Sequence, residues 1–407
     1  MYNLATSAVA EVDEEVFAQI QNPESASESV LEVALENGFL VPIEENEVEK
    51  VLAVQRMNNY STRFAGFQIL PTTACNARCW YCYEENFEKC SMSYEVARAI
   101  PRHLESYMDM VDDVHVTWFG GEPMLEFGLI TELSRWIVAS CEERGVGYTA
   151  DMITNASLLT SEAARVLAET CRVSQVQITF DGMGDRHIEK KRYNDRSICF
   201  DTILDSIQYL LDCDIRVLIR INADKNNVRD CLQLIGELGA AWADNPSAAL
   251  YVAPLYGTNA RELFLAEDEL NELYEIVFKA MIDAGWIRSF DGIPMNFNNA
   301  TCSARMINNF VIDPKGNLFK CEHLLSDETE IIGNIAEGVE FTDSMARWAS
   351  PQLPEKCLEC GYLPACQGGC YAAEALNFGF SRCPHIAFIE PAIISAADYL
   401  LQKQEQR

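Results

Sequence analysis

The sequence predicts an α/β protein built on a partial, six-stranded β/α barrel. The main observation is a regular alternation of short apolar segments with amphipathic segments between about residues 65 and 287. Such alternation is typical of parallel strands joined by helical crossovers. A second observation is the distribution of the 16 cysteines, because seven of them fall between Cys302 and Cys383. We therefore expect a barrel followed by a cysteine-rich domain.

Six apolar segments are predicted to be the barrel strands. In chain order they are GFQILPT, DVHVTWF, YTADMIT, VQITF, IRVLIRI and AALYVAPLY. The helices that follow them are expected to begin near Tyr94, Leu125, Thr160, Phe200, Val228 and Ala266. In barrels of this kind the reactive residues lie at the C-terminal ends of the strands and on the loops that follow. Motifs directly after a strand are therefore the candidates for an active site.

The residues before the barrel are predicted to form a small α+β segment. MYNLATSAVAEVDEEVFAQI is typical of a strand, a turn and a helix, and SASESVLEVALENGFLVP of a capped helix ending at Gly38 and then a strand. EENEVEKVLAVQRMNNY predicts another helix. The predicted organisation is an N-terminal segment, 1–62, a barrel, 63–290, a cysteine-rich domain, 291–385, and a C-terminal helix, 386–407.

Charge and hydropathy exclude two classes of partner. The formal net charge is -31, whereas nucleic acid and anionic membrane surfaces call for clustered Lys and Arg. The N-terminus lacks a basic region followed by a long apolar run, and no stretch approaches the roughly 20 apolar residues that span a bilayer. We therefore expect a cytoplasmic protein that binds neither nucleic acid nor membrane.

The cysteines predict metal binding rather than disulfide bonds. Thiols are kept reduced in the cytosol, and a chain of 407 residues does not need disulfide staples. Five cysteines in apolar helical contexts are interpreted as core residues, since a thiol packs as a small hydrophobe: Cys141, Cys171, Cys199, Cys213 and Cys231. Cys90 is interpreted as a free thiol.

The loop after the first strand contains three cysteines in a C-x3-C-x2-C array, Cys75, Cys79 and Cys82. Structural zinc sites use four ligands, whereas iron-sulfur clusters are held by thiolates at short, irregular spacings. Three thiolates on a four-iron cluster leave one iron open. A zinc knuckle or a chance spacing is the alternative interpretation.

This array, with Tyr81 before its last cysteine and at the end of a first barrel strand, closely resembles the motif of the radical S-adenosylmethionine (radical SAM) superfamily. The resemblance implies a 4Fe-4S cluster whose open iron binds S-adenosylmethionine (SAM). It also implies reductive cleavage of SAM to methionine and a 5'-deoxyadenosyl radical.

Two further motifs resemble the SAM-binding motifs of this superfamily. The GGEP sequence after the second strand corresponds to the motif that receives the methionine amino group, and its glycines let the backbone approach the ligand closely. TNASLL after the third strand is similar to T-N-G-x-L-L, with Ala156 in place of the usual glycine. The resemblance implies SAM contacts from these motifs and from Tyr81: Gly120, Gly121, Glu122, Pro123, Asn155 and Ser157.

Two charged residues complete the candidate site. TFDG after the fourth strand resembles the S-L-D-G of peptide- and protein-modifying members, which makes Asp181 a candidate catalytic residue at the barrel mouth. An ordinary turn residue is the alternative. RIN on the fifth strand offers Arg220 as a charge-assisted partner for the methionine carboxylate.

The C-terminal cysteines match the SPASM domain, the extension found on maturases of peptides and proteins. They follow the pattern Cys302-x13-Gly316-x4-Cys321, then Cys357-x2-Cys360-x5-Cys366-x3-Cys370, then Cys383. The resemblance implies one auxiliary cluster on Cys302, Cys321 and Cys370 and another on Cys357, Cys360, Cys366 and Cys383. The first set leaves its fourth ligand unassigned: an open iron for a substrate thiolate, a non-cysteine ligand or another cysteine. A purely structural role for both clusters is the alternative.

These resemblances together predict a three-cluster radical SAM enzyme that matures a ribosomally made peptide. The implied partners are a precursor peptide, with a leader and a cysteine-containing core, and a flavodoxin or ferredoxin reductant. The favoured product is an intramolecular cysteine thioether, as in sactipeptide and ranthipeptide synthases. A carbon-carbon crosslink, formylglycine formation by a sulfatase-maturing type and a non-catalytic iron-sulfur electron carrier are the alternatives. The N-terminal segment is interpreted either as a truncated leader-binding element that acts by strand addition or as a packing collar for the barrel.

Overall fold

The computed structural model describes residues 1–6, 8–256, 259, 261–293, 302–350, 352–370, 372–373 and 386–405. Within these ranges, six parallel strands with helical crossovers confirm the predicted α/β barrel. The strands are β1 Phe64–Ile69, β2 Asp113–Trp118, β3 Gly147–Thr154, β4 Val173–Phe180, β5 Arg216–Ala223 and β6 Ala248–Pro254.

The barrel helices begin within two residues of the predicted positions. Caps explain two of these starts, since Ser93 accepts from Val96 N at 3.3 Å and Thr160 accepts from Ala163 N at 3.2 Å. The helices are α1 Glu14–Gln21, α2 Glu28–Glu36, α3 Glu47–Asn59, α4 Tyr94–Met108, α5 Phe127–Arg144, α6 Ser161–Glu169, α7 Asp185–Lys191, α8 Phe200–Leu211, α9 Val228–Trp242, α10 Glu267–Asp283, α11 Asp343–Ala349, α12 Glu355–Leu358, α13 Leu363–Cys366 and α14 Ile386–Glu405. The sequence does not predict α7, because its charged sequence DRHIEKK lacks an apolar stripe.

Two short strands of the C-terminal region extend the barrel sheet. β7, Asn309–Ile312, pairs in parallel with β1, and β8, Leu318–Phe319, pairs antiparallel with β7. The resulting sheet has the order β6-β5-β4-β3-β2-β1-β7-β8. The cysteine-rich region therefore begins on the edge of the barrel sheet rather than as a separate body.

The two faces of the barrel strands differ in polarity. Along β4, Val176, Ile178 and Phe180 are fully buried in the core beneath the helices. The residues between them, Gln177 and Thr179, are half-buried and line a cavity on the concave side. Side chains of a strand alternate between its two faces. The face that packs against the helices is therefore apolar, and the face that lines the cavity is polar.

The N-terminal segment is more helical than predicted. Its described residues form α1, α2 and α3, and the predicted first strand is reduced to a single antiparallel bridge between Tyr2 and Val9. The strand predicted at GFLVP does not form. Gly38 has a φ of 72°, and Leu40 N donates to Ala34 O at 3.1 Å, so this stretch closes the C-terminal end of α2 instead.

The two ends of the chain pack against other parts of the molecule. Asn59, at the end of α3, accepts a hydrogen bond from Ile307 N at 2.7 Å, which ties the N-terminal segment to the C-terminal region. α14, which confirms the predicted closing helix, packs along α10, where Ala392 N donates to Asn271 Oδ1 at 3.0 Å. In the described ranges, no helix has the length and apolar character to cross a membrane.

Candidate active site

A cavity of about 280 Å³ opens at the C-terminal ends of the barrel strands. Residues near or just beyond the ends of all six strands line it, together with the two residues after Cys321. The lining includes Cys75, Cys79, Cys82, Gly120, Gly121, Asn155, Thr179, Arg220, Asn222, Tyr256, Glu322 and His323. The parallel barrel thus brings motifs from distant parts of the sequence to one place.

The three-cysteine loop is held over the cavity by its neighbours. Arg78 N donates to Lys191 O at 2.9 Å, and Asn194 N donates to Asn76 O at 2.8 Å. On the other side, Asn259 donates to Cys82 O at 3.0 Å. The loop that joins α7 to α8 and the loop after β6 therefore fix the backbone that presents the thiols.

The three thiols lie within electrostatic reach of one another. Burial, with a smaller contribution from the thiol of Cys79, raises the pKa of Cys75 to about 11. Burial likewise raises the pKa of Cys82 to about 12, with contributions from Glu84, Cys79 and Cys75. Thiolates so placed need a cation beside them, and metal coordination supplies one.

The described part of the chain holds no group of three His, Cys, Asp or Glu side chains arranged for a single metal ion. A zinc ion would bring its sulfur ligands to about 2.3 Å from one point. An iron-sulfur cluster is larger than one ion and keeps its thiolate ligands further apart. The donor set of three clustered thiols on one loop is the type that holds such a cluster.

Gly120 and Gly121 allow the loop after β2 to lie against the three-cysteine loop. A Cβ atom on Gly120 would stand 2.2 Å from Thr72 O, and one on Gly121 would stand 2.2 Å from Ala74 O. Gly120 also has a φ of 125°, which side chains disfavour. Both glycines line the cavity, so their bare backbone forms a cradle that a ligand can approach closely.

Glu122 is buried behind this cradle, and its side chain does not line the cavity. Its carboxylate accepts from Met124 N at 3.0 Å, Thr154 Oγ1 at 2.6 Å and Asn155 N at 2.8 Å. Burial raises its pKa, against these hydrogen bonds. Pro123 begins a buried helical turn beside it. Glu122 thus joins the ends of β2 and β3, and the SAM contacts of Glu122 and Pro123 stay predictions.

The segment after β3 contacts both the cavity and the cysteine loop. Asn155 lines the cavity, and its Nδ2 donates to Asn76 Oδ1 at 2.9 Å. Ser157 is buried, donates to Asn155 Oδ1 at 2.6 Å and accepts from Asn76 at 2.8 Å, so it braces the loop from behind. Ala156, in place of the usual glycine, has a φ of 64° and so retains the left-handed backbone that glycine favours.

Asp181 lies directly after β4, beneath the cavity wall rather than on it, and is 1% exposed. The hydroxyl of Tyr81 lies 2.7 Å from each of its carboxylate oxygens, and Lys191 Nζ is 3.1 Å away. Asn222 donates to it at 2.9 Å. The sequence placed Asp181 at the barrel mouth but did not predict that these partners would occupy its carboxylate.

Arg220 projects from β5 into the cavity. Its Nε donates to Asn222 Oδ1 at 2.9 Å, and its guanidinium lies 5.7 Å from the ring centre of Tyr256. Burial opposes its charge, but Tyr256 and Tyr251 outweigh burial and raise its pKa. A half-buried cation held on this wall suits a carboxylate ligand, and the contact with the methionine carboxylate stays a prediction.

Comparison with known proteins identifies the barrel. Residues 69–235 match the family model described as the Radical SAM superfamily. The chain carries a radical SAM domain. Such domains bind SAM and a 4Fe-4S cluster, and the chain is an enzyme. This confirms the superfamily predicted from the three-cysteine loop, although the comparison does not assign individual ligands.

Several relatives cover most of the chain. The serine-type anaerobic sulfatase-maturating enzyme of Klebsiella aerogenes is 25% identical over 332 residues, which cover 74% of this chain and 77% of that protein. The cysteine-type anaerobic sulfatase-maturating enzyme of Clostridium novyi is 23% identical over 348 residues, or 75% of this chain and 87% of that protein.

Two solved structures share the fold of the radical SAM domain and its extension. One, native anSMEcpe with bound AdoMet and Kp18Cys peptide, has a TM-score of 0.65 at 16% identity and covers 84% of this chain and 100% of that chain. The other, Streptococcus suis SuiB bound to S-adenosylmethionine, has a TM-score of 0.54 at 18% identity and covers 94% of this chain and 95% of that chain.

Beyond the radical SAM domain, the C-terminal cysteines fall into two neighbourhoods. Cys321 is buried, which raises the pKa of its thiol, and Cys302 and Cys370 lie close enough to raise it further. Burial also raises the pKa of Cys366, to which Cys357 and Cys360 contribute. Each neighbourhood contains described members of one predicted ligand set, while the ligand assignments stay predictions and Cys383 lies outside the described residues.

Arg305 brings the first neighbourhood together. Its side chain is buried, and Nη2 donates to Gly369 O at 2.6 Å while Nη1 donates to Gln367 O. These bonds join the turn that follows Cys302 to the backbone that precedes Cys370. The arrangement therefore depends on one buried guanidinium that no cysteine spacing predicts.

The sequence analysis did not identify four residues that line the cavity: Tyr83, Glu84, Glu322 and His323. The rings of Tyr83 and His323 meet at 4.4 Å between centres. Glu84 is 4% exposed and Oε1 has no hydrogen-bond partner among the described residues, so burial raises its pKa to about 7. Their position within two residues of Cys82 or Cys321 was the available signal.

Proposed function

We propose that this enzyme matures a ribosomally made peptide by forming an intramolecular cysteine thioether. One observation supports this most directly. One cavity is lined both by the Cys75–Cys82 loop and by Glu322 and His323, which follow Cys321. The ring of His323 meets that of Tyr83, the residue after Cys82, at 4.4 Å between centres. A peptide bound in this cavity would be within reach of both the radical SAM centre and an auxiliary cluster.

In this proposal Cys75, Cys79 and Cys82 hold the SAM-binding cluster. Gly120, Gly121, Asn155 and Arg220 line the same cavity and would hold SAM, with Arg220 facing its carboxylate. Bound together, the cluster and SAM supply a 5'-deoxyadenosyl radical that removes a hydrogen atom from the peptide. The barrel residues position the groups and exclude water.

The auxiliary sets follow the two cysteine neighbourhoods. Cys302, Cys321 and Cys370 would hold one cluster, and Cys357, Cys360, Cys366 and Cys383 the other. The first motif supplies three thiols, and the remaining cysteines, such as Cys141 and Cys231, belong to the barrel and its helices. An open position on the first cluster would suit a thiolate of the peptide, which is the reason to favour a carbon-sulfur bond.

The bond-forming step is a two-electron oxidation of the peptide, for which SAM would be the net oxidant. The 5'-deoxyadenosyl radical would take one hydrogen atom from the donor carbon, and the cysteine would lose a proton as the carbon-sulfur bond forms. The remaining electron would pass to the oxidised auxiliary cluster and from there to the flavodoxin or ferredoxin, which thereby regains the electron spent on cleaving SAM. The carboxylate of Glu322 is half-buried on the cavity wall beside Cys321. It is placed to accept the proton of a thiol bound there.

The relatives support a second candidate. Both sulfatase-maturating enzymes align over about three quarters of the chain, which favours oxidation of a Cys or Ser side chain to formylglycine. A peptide substrate is common to both candidates, since one of the solved structures contains a bound peptide and SuiB was solved with its precursor peptide SuiA. A small flavodoxin or ferredoxin is proposed as the reductant.

The test is anaerobic turnover of the reconstituted enzyme with SAM, dithionite and a peptide. One arm uses a short cysteine-containing precursor peptide, and the other uses a sulfatase-derived peptide that presents Ser or Cys. Products are analysed by mass spectrometry after treatment with iodoacetamide, which marks free thiols, and with a hydrazide, which marks aldehydes.

Formation of a thioether removes two hydrogens and one alkylatable thiol from the peptide, and the product gives no hydrazide adduct. A hydrazide adduct would favour the sulfatase-maturating candidate instead. A carbon-carbon crosslink would lose two hydrogens while keeping every thiol. Failure to convert SAM to 5'-deoxyadenosine would overturn all three and leave the electron-carrier alternative.

A further inference from the structure

Lys191 is a buried cation at the base of the three-cysteine loop. Its side chain is 5% exposed, and Nζ lies 3.1 Å from Asp181 and 3.3 Å from the hydroxyl of Tyr81. Tyr81 belongs to the cysteine loop, and Asp181 follows β4. An ammonium that lines the cavity and a carboxylate beneath the cavity wall thus form an ion pair at the base of the cysteine loop.

The backbone of Lys191 also touches the loop. Its carbonyl oxygen accepts from Arg78 N at 2.9 Å and lies 3.8 Å from Cys79 Sγ. Tyr81, whose hydroxyl meets both Asp181 and Lys191, lies two residues after Cys79 and one residue before Cys82. Both charged groups therefore lie beside the loop that carries the sulfurs.

The geometry is that of a buried ion pair. Besides Lys191 Nζ at 3.1 Å, the carboxylate of Asp181 meets the hydroxyl of Tyr81 at 2.7 Å and accepts from Asn222 at 2.9 Å. A carboxylate and an ammonium buried at this distance stabilise each other's charge. The catalytic role of Asp181 stays a prediction.

We propose that Lys191 and Asp181 are positioning residues whose fixed charges set the reduction potential of the cluster bound at Cys79. Net charge near a cluster is one of the factors that determine its potential. A cation stabilises the reduced cluster, which carries one more electron, and an anion destabilises it. The weak screening of a buried site lets these charges act strongly.

This inference rests on the proposed assignment of Cys75, Cys79 and Cys82 as the cluster ligands. The experiment is an anaerobic redox titration of the reconstituted full-length enzyme, followed by electron paramagnetic resonance. The SAM-binding cluster is recognised as the one whose signal changes when SAM is added. Removal of Cys79 as C79A tests the assignment separately, through iron content and loss of that signal.

The variants are Lys191→Met, Asp181→Asn and the double variant D181N/K191M. We expect K191M to shift the midpoint potential of the SAM-binding cluster to more negative values, because it removes the cation. D181N should shift it to more positive values, because Lys191 is then uncompensated. The double variant should fall between the two, and Lys191→Arg should restore the wild-type potential.

Lys190→Met is the matched control. Lys190 precedes Lys191 on α7 but pairs with Asp224 at 2.7 Å, so its loss should leave the potential unchanged. If K191M and D181N shifted the potential in the same direction, or neither shifted it, the charge-pair proposal would be wrong. Should K191M fail to load clusters, the comparison of D181N with the double variant decides, because the two differ only in the charge of Lys191 and neither leaves Asp181 as an unpaired buried carboxylate. Equal potentials in these two variants would overturn the proposal.

Discussion

Single buried polar residues hold the mouth of the barrel together. Glu122, Ser157 and Asp181 were predicted to act on ligands, yet each of their side chains bonds mainly to neighbouring loops. A group that is buried and hydrogen-bonded costs much more to remove than an exposed one. Their substitution therefore tests positioning as well as chemistry.

Glu122→Gln should destabilise the enzyme and weaken SAM binding. The carboxylate accepts three hydrogen bonds, and a Gln amide must turn an NH2 group toward at least one of those donors. We expect a loss of about 2 to 3 kcal/mol, measured by denaturant unfolding, together with weaker binding of SAM by calorimetry. Glu162→Gln, exposed on α6, is the control and should change neither. Wild-type stability of E122Q would contradict the bracing role.

His103 should make the protein sensitive to acid. It lies on α4 among the rings of Phe67, Tyr107 and Phe310, and burial lowers its pKa from 6.5 to about 4. Between these values the native state binds fewer protons than the unfolded chain, so its stability falls as the pH drops through that window.

The variant His103→Phe removes this loss. We compare the free energies of unfolding of H103F and wild type at two pH values. The difference between them should favour H103F by about 2 kcal/mol more at pH 5 than at pH 8. Denaturant titrations at both values measure the gain. An equal difference at pH 5 and pH 8 would show that His103 does not titrate as its burial requires.

The residues that sequence could predict are those fixed by short spacing. Cys75, Cys79 and Cys82 share one loop. Gly120 and Gly121 lie so close to the backbone of that loop that a side chain would not fit. Lys191 could not be predicted, because it lies on a charged seven-residue helix and meets Asp181 only through the fold. Contacts between loops of different strands leave no periodic trace in the sequence.

The observed secondary-structure elements agree closely with the predicted ones in the barrel and less closely at the N-terminus. The strand expected at GFLVP is a helix-ending turn, because Gly38 takes a left-handed conformation after α2. β-branched and apolar residues there favour a strand only when a sheet edge is available to pair with. In the described structure no strand pairs with this stretch, so its strand propensity did not produce a strand.

α11 should depend on Glu330. This buried carboxylate accepts from Arg347 at 2.7 Å, from Ser344 at 2.5 Å and from Trp348 Nε1 at 3.1 Å, all on α11. Glu330→Ala leaves an indole N–H and a hydroxyl buried without that acceptor, and we expect a loss of about 3 kcal/mol. Glu328→Ala, exposed in the same turn, is the control.

Thermal unfolding and iron content measure the effect on this region. E330A should unfold at a lower temperature and lose auxiliary iron before the SAM-binding cluster is lost. A fall in stability equal to that of E328A would show that the carboxylate does not organise α11.

On the scale of the whole molecule, the barrel and the cysteine-rich region share one sheet. Gly66 N donates to Asn308 O at 3.0 Å and Leu70 N to Ile312 O at 2.9 Å across the junction of β1 and β7. The rings of Phe67 and Phe310 stack there at 6.0 Å between centres. Sequence analysis set a domain boundary at residue 291, because pairing between strands separated by more than two hundred residues cannot be inferred from either one alone.

A chain that ends at residue 290 should therefore fail to fold as a barrel. Truncation leaves β1 with an unpaired edge and exposes Phe67, and such an edge is prone to aggregate. We expect insoluble protein, or soluble protein that does not bind iron at the three-cysteine loop. A chain that starts at residue 46 is the control, because it loses α1 and α2 but keeps α3 and its bond to Ile307. Size-exclusion chromatography and iron analysis compare the two, and a monomeric 1–290 fragment that cleaves SAM would mean that the barrel folds independently of the strand it shares.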